Sequence, residues 1–258
     1  MNVPVLLPKI FDFPLTYNNS LNEKLKIGDF VLVPFGKTEE VGIVWNEISP
    51  ITRKIKIRNI NKKIKGVSLS KNLINFINWF SLYNVVSKGM VLKMCLGKKE
   101  NVLKFNEKIN QKIFTNKKNF ILNDIQKRSL NHLNNFGEKF NVCVLQGVTG
   151  SGKTLVYFER IKKIIKKNKQ VLLLLPEIFL TNQFNFRFQE YFGFKPSIWH
   201  SKISPKNKRK IWQGVVKNKL KLVIGARSAL LLPFKDLGLI IVDEEHDASY
   251  KQDEGIIY

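Results

Sequence analysis

Gly147-Val-Thr-Gly-Ser-Gly-Lys-Thr154 matches the pattern G-x-x-x-x-G-K-[ST], and its flanks decide what fold holds it. Ahead of it, Asn141-Val-Cys-Val-Leu-Gln146 is a short apolar run that predicts a strand. Behind it, residues 153–167 carry Ile and Lys at helical spacing. In a strand–loop–helix setting, glycines let the backbone close round phosphate oxygens, and the helix N-terminus adds partial positive charge. Lys153 is placed to neutralise β- and γ-phosphate charge, and the Thr154 hydroxyl to ligate Mg²⁺. Gly147, Val148, Thr149, Gly150, Ser151, Gly152, Lys153 and Thr154 are thus the expected contacts for ATP and Mg²⁺. A glycine turn without ligand is the competing reading, and the flanking elements weigh against it.

Working outward, residues 120–258 alternate helix and strand. A helix through Leu130 and Leu133 precedes the loop. After it come the strand Val171-Leu-Leu-Leu-Leu175, a helix near 181–191, a strand near 196–199 and a helix near 205–218. The strands Leu220–Gly225 and Leu239–Val242 follow. Short apolar strands between helices predict an α/β fold with a parallel sheet covered on both faces. Leu239-Ile-Ile-Val-Asp-Glu-Glu-His246 is such a strand ending in acids. Asp243 is placed to hold Mg²⁺, directly or through water, and Glu244 to polarise an attacking water. An acidic cluster capping the next helix is the plainer alternative. His246 fits either a coupling role toward a DNA-facing loop or a local hydrogen bond.

Gln126 lies 21 residues ahead of Gly147, where its amide can read the amino group and N7 of adenine. Thr181 and the Arg227–Ser228 pair follow two of the strands, and ligands bind at the carboxyl ends of parallel strands. Their donors suit a nucleic-acid backbone. Singly, each is as well explained as a solvated turn residue.

The first 97 residues read differently. Lys26-Ile-Gly-Asp-Phe-Val-Leu-Val-Pro-Phe35 and Val41-Gly-Ile-Val-Trp45 predict a hairpin turning over Gly36–Glu40. Residues 69–83 have helical spacing, with Ser70 as the expected N-cap. The expected division is a β-rich domain at 1–97, a Lys- and Asn-rich linker at 98–119, and the α/β domain at 120–258.

Composition excludes several classes. No apolar run approaches the ~18–20 residues that span a bilayer, and the start of the chain lacks a secretory pattern. Cys95 and Cys143 sit among apolar neighbours and read as small core residues of a reduced, cytoplasmic protein. His132, His200 and His246 cluster with neither cysteine, so no zinc site is expected. The net charge is +24, spread as 21 basic against 8 acidic residues in 1–119 and 23 against 12 in 120–258. Such charge attracts phosphodiesters. The abundance of Lys, Asn, Ile and Phe with scarce Ala and Arg is equally the mark of AT-rich coding sequence.

Taken in order, the blocks VTGSGKT, LLPEIFLT, HSKIS at 200–204, VIGARSALLLPFKDLGLIIVDEEHD at 223–247 and SYKQDEG at 249–255 resemble the superfamily 2 helicases. Within them the chain is most similar to the primosomal replication-restart helicases. The resemblance covers residues 3–97 and 120–258. It implies a RecA-like motor lobe, preceded by a small β-rich domain that grips a DNA 3′ end. Phe11, Asp12, Phe35, Gly36 and Lys56 then fall where the family lines its 3′-end pocket. Tyr250 and Tyr258 fall in an aromatic-rich loop that senses DNA, where stacking on bases and core packing are both open.

The implied partners are DNA forks, 3′ ends and single strands, with single-strand-binding protein and primosome or helicase-loading proteins. Residues 98–119 leave almost no room for the family's winged-helix module. A second motor lobe, its arginine finger and the paired zinc sites have no counterpart in these residues. This chain alone is therefore expected to hold nucleotide weakly and hydrolyse it poorly. A DNA-end binding module without catalysis is the rival reading. A P-loop kinase or transporter ATPase would explain neither the Arg227 block nor the acidic motif.

Overall fold

The apolar runs sort into two sheets. The computed structural model describes residues 1–47, 57–103, 120–137, 139–179 and 181–251. The first sheet contains β1 (Asn2–Leu6), β2 (Leu15–Asn18), β3 (Asp29–Phe35), β4 (Thr38–Val44) and β5 (Lys62–Ser68). Its order is β2-β1-β4-β3-β5, with every pairing antiparallel. The predicted hairpin is β3–β4, but its turn is tighter than expected. Phe35 pairs with Thr38 across Gly36 and Lys37, and Gly36 takes the left-handed φ of 59° that a two-residue hairpin favours.

Period-two alternation sends Phe30 and Ile43 to one face, and Val31 and Val33 to the other. The second face closes over Val3, Val5, Tyr17 and Ile60. The first is covered by α1 (Lys71–Asn84) and α2 (Lys88–Leu96). Ser70 caps α1 as expected, its Oγ accepting from the Leu73 N–H at 3.3 Å. A short helix, α3 (Glu100–Leu103), opens the segment between the two halves. Residues 104–119 lie outside the described residues, as do Lys56 and Tyr258.

The second half contains α4 (Asp124–Asn135), α5 (Lys153–Lys166), β6 (Gln170–Leu174), α6 (Asn182–Phe192), β7 (Ser197–Trp199), α7 (Pro205–Val216), β8 (Leu222–Gly225) and β9 (Leu237–Val242). The sheet order is β7-β8-β6-β9, all parallel. Along β6, Val171 and Leu173 face the aromatic cluster of α5 and α6, while Leu172 and Leu174 face α7. That two-sided burial is why β6 is uniformly apolar after its first residue. Gln170, fully buried at its base, is satisfied at both ends. Its Nε2 donates to the Val215 and Leu220 carbonyls, and its Oε1 accepts from the Lys235 and Asp236 N–H groups.

Three sequence expectations need correction. Residues 141–146 form no strand, and Val142 and Val144 are 77% and 84% exposed. The cover of the sheet is incomplete, because β9 pairs with β6 alone among the described residues, and its Ile240 and Val242 are about half exposed. A parallel edge position with one neighbour and no layer over it buries too little apolar area to offset the ordering of a six-residue segment. Cys143 is exposed for the same reason, and only Cys95 is a core residue. Among the described residues no helix is long and apolar enough to cross a membrane.

One apolar core joins the halves. It runs from Leu6, Phe30 and Ile43 through Val91, Leu92, Cys95 and Val102 to Trp212, Val215 and Phe234. Trp212 of α7 is 1% exposed, edge-on to Phe30 at 6.2 Å, and its Nε1 donates to the Cys95 carbonyl at 2.8 Å. Beside it, Gln213 Nε2 donates to the Asn101 carbonyl at 2.9 Å.

In urea unfolding, Trp212→Ala is expected to cost about 3–5 kcal/mol. Val144→Ala should cost under about 0.5 kcal/mol, as for other surface changes. With a thiol reagent in native buffer only Cys143 should react. Burial pushes the Cys95 thiol up to about 12, and it should react only after unfolding.

Candidate nucleotide and DNA-end sites

The phosphate loop is shaped by two glycines in the left-handed region. Gly150 and Gly152 both have φ of 81°, and Gly152 is the N-cap of α5. That backbone turns successive N–H groups into a concave anion seat. A Cβ at Gly152 would meet Gln126 Nε2 at 2.4 Å, and one at Gly147 would meet Ser151 Oγ at 2.8 Å. Lys153 Nζ donates to the Gly147 and Val148 carbonyls at 2.5 and 3.3 Å, so its ammonium lies across the loop.

Gln126 sits against this loop, as its spacing predicts. Its Nε2 donates to the Ser151 carbonyl at 3.0 Å. Its Oε1 accepts from the Asn123 N–H at 3.0 Å, closing a capping box at the start of α4. One amide N–H and one oxygen lone pair remain for a base edge.

Asp243 follows β9 directly, held by its N–H donating to the Leu174 carbonyl of β6 at 3.1 Å. Its Oδ2 accepts from the Tyr157 hydroxyl at 2.8 Å, and its Oδ1 from the Glu244 N–H at 3.2 Å. Burial, then the Asp243 carboxylate, raise the Tyr157 pKa far above its ordinary value, so the phenol stays a proton donor. The Thr154 side chain, one turn earlier on α5, acts on the Tyr157 phenol in the opposite sense and lowers its pKa. A hydroxyl and a carboxylate brought together in this way are the hard oxygen donors that suit Mg²⁺.

Glu244 has φ of 51°, a left-handed conformation that costs a non-glycine residue about 1–3 kcal/mol and marks functional turns. His246 is 74% exposed, with Glu244 and Glu245 carboxylates each at 3.6 Å.

At the carboxyl ends of β6 and β8 lies a cleft of about 330 Å³, lined by Pro176, Glu177, Ser201, Arg227, Ser228 and Tyr250 among others. Arg227 Nη1 donates to the carbonyls of Tyr250, at 3.3 Å, and Lys251. The Tyr250 hydroxyl donates to the Asp243 carbonyl at 2.9 Å, and its ring packs on the shared core. Thr181 stands apart, its hydroxyl capping α6 at the Phe184 N–H.

In the first sheet, Phe11 packs against Phe13 at 6.0 Å and edge-on to Phe35 at 5.9 Å, with Asp12 exposed between the first two. The Gly36 carbonyl accepts from Arg58 Nη1 at 3.0 Å, and Lys9 pairs with Glu40 while lying over the Phe35 ring. The loop carrying Phe11 is held by the Gly89 N–H, which donates to the Phe11 carbonyl at 2.9 Å. Only glycine fits there, since a Cβ would sit 2.0 Å from the Lys9 carbonyl oxygen. Sequence reading missed Arg58, Lys9 and Tyr157. The one available signal was the Tyr157 position, one helical turn after Thr154.

Residues 123–258, more than half the chain, match the profile of the DEAD/DEAH box helicases. The chain belongs to the DEAD/DEAH box helicase family. Residues 2–97 match a second profile, the 3′DNA-binding domain (3'BD). The chain's curated relatives include proteins named "Replication restart protein PriA". The one from Rickettsia conorii is 42% identical over 258 residues, covering 98% of this chain and 39% of the relative. The one from Helicobacter pylori (strain 26695) is 35% identical over 245 residues, covering 95% of this chain and 37% of the relative. For Bacillus subtilis the match is 45% over 117 residues, or 45% of this chain and 14% of the relative. The chain thus spans about two fifths of the length of these relatives.

Gly152→Ala adds a Cβ against Gln126 and removes the glycine from a left-handed position. The expected result is loss of at least about tenfold in affinity for a fluorescent ATP analogue, about 1.4 kcal/mol, in equilibrium titration.

Proposed function

We propose that this chain is the amino-terminal portion of an ATP-dependent 3′-to-5′ DNA helicase. In this reading it recognises stalled or repaired replication forks and initiates primosome assembly for replication restart. The carrying observation is a 3′DNA-binding domain match at residues 2–97 followed by a DEAD/DEAH box helicase match at 123–258. The proposed division is a DNA-end domain at 1–97, a linker at 98–119 and a first motor lobe at 120–258.

At the nucleotide, Lys153 exchanges the Gly147 and Val148 carbonyls for β- and γ-phosphate oxygens. The loop N–H groups receive the remaining phosphate charge, and Gln126 reads the adenine edge with its spare donor and acceptor. Thr154 and Asp243 hold Mg²⁺, which when bound neutralises phosphate charge. Glu244 orients the attacking water and accepts its proton.

At the other end, Asp12 accepts a hydrogen bond from a terminal 3′-hydroxyl beside Phe11, Phe35 and Gly36, and Lys56 is assigned to the same end by the family resemblance alone. A 3′-phosphate there meets like charge. Arg227, Ser228 and Thr181 contact the strand backbone, and Tyr250 transmits contact to Asp243. Single-strand-binding protein and helicase-loading proteins are the proposed protein partners, in the cytoplasm. Paired zinc sites belong to segments of such helicases without counterpart here.

A second reading, DNA-end binding with little hydrolysis by this chain alone, is favoured by the unpaired 141–146 segment and the half-exposed β9. Fluorescence anisotropy and ATP hydrolysis separate the two. A 3′-hydroxyl end should bind at least about fivefold tighter than a 3′-phosphate end at low salt, where exposed charges are least screened. Equal affinity would sink both readings. Hydrolysis stimulated by forked DNA and lost on Lys153→Ala supports the motor. Hydrolysis indifferent to both sinks it, and end preference without hydrolysis leaves the second reading.

A further inference from the structure

Tyr157 lies on α5, one turn beyond the phosphate loop, and is 6% exposed. A buried phenol must find hydrogen-bond partners, and a purely structural one takes whatever polar atom is near. Tyr191 is the internal comparison. Its hydroxyl donates to Glu159, which also pairs with Lys162, in a cluster that ties α5 to α6. Tyr157 instead selects the two residues to which the proposed function assigns Mg²⁺, accepting contact from Thr154 on its own helix and donating to Asp243 beyond β9.

The chemistry of the partner matters. No salt bridge to Asp243 is present among the described residues, where a lysine or arginine would compete with a cation for the carboxylate. A neutral phenol fixes the carboxylate's orientation and leaves its charge in place. Tyr250 adds a second hold by donating to the Asp243 backbone carbonyl at 2.9 Å. Side chain and main chain of Asp243 are thus pinned by two different tyrosines.

We infer that Tyr157 is the positioning residue of the Mg²⁺ subsite, its hydroxyl setting Thr154 and Asp243 in register before nucleotide arrives. The inference rests on the nucleotide-site reading above. Partners that orient metal ligands change metal affinity by about 10–100-fold when removed. They leave ligand binding that needs no metal untouched.

The test is titration of a fluorescent ADP analogue into the 258-residue chain, in EDTA and across a Mg²⁺ series. Tyr157→Phe keeps the ring that fills the core. The expected result is nucleotide affinity in EDTA within about twofold of the unaltered chain, with the Mg²⁺ midpoint raised about tenfold. An unchanged midpoint, or equal weakening with and without Mg²⁺, overturns the inference alone. Failure of the unaltered chain to bind nucleotide overturns the site reading and this inference together.

A second measurement needs no variant. The chain has six tyrosines, and among the described residues Tyr157 and Tyr250 touch Asp243. With 3-fluorotyrosine incorporated, adding Mg²⁺ to nucleotide-loaded protein should shift a fluorine resonance that nucleotide alone leaves in place. No such shift overturns the inference.

Discussion

Burial of the Trp212 indole makes one body of two unlike halves, and it succeeds because the indole N–H finds a carbonyl that needs a donor. The last turn of α2 leaves carbonyls without helical partners, and Trp212 supplies a donor to that of Cys95. The next residue of α7, Gln213, does the same for Asn101 at the end of α3. Adjacent side chains of α7 thus close the ends of α2 in the first half and of α3 in the connecting segment. Without those bonds the large apolar contact around Phe30 would trap buried polar groups, each costing about 1–3 kcal/mol. The union therefore depends on polar matching as much as on apolar area.

The proposed nucleotide site inherits its geometry from the same packing. Asp243 is placed by β6 through the Leu174 carbonyl, and β6 is clamped at its base by the four hydrogen bonds of Gln170. Tyr157 reaches Asp243 because α5 packs its aromatic and Ile residues on the face of β6 that carries Val171 and Leu173. Moving any of these layers would separate α5 from the acidic turn after β9. The acidic turn itself stores strain at Glu244, which the Asp243 carboxylate holds by accepting its N–H.

Much of this was legible in sequence because it is local. Ser70 as a cap, the helix after the loop, the apolar runs of β6 and β8 and the phosphate loop each follow from a few neighbouring residues. What escaped depends on distant partners. The segment 141–146 has the composition of a strand, yet pairing requires a neighbour and a cover that no local pattern encodes. Tyr157 looks like an ordinary core position until β9 brings Asp243 within 2.8 Å. Arg58 is silent until the hairpin turn places the Gly36 carbonyl beside it. Thr181 shows the ambiguity of a local signal, since a hydroxyl suited to a phosphodiester is equally suited to capping α6, which is where its oxygen is engaged. Motif order identified the family because a series of blocks constrains more than any single block.

The exposed approach to the phosphate loop has an energetic consequence. Residues 141–146 lack ladder hydrogen bonds, and the loop that follows is tied down through Gln126, Lys153 and the start of α5. Its amides belong to the low-stability end of the molecule and exchange with solvent far sooner than those of β6. In the proposed site, the Thr154 and Asp243 side is thus held before binding, while the loop side would gain order on binding. That ordering entropy opposes nucleotide capture, and any contact that pairs residues 141–146 beforehand raises affinity without touching the nucleotide.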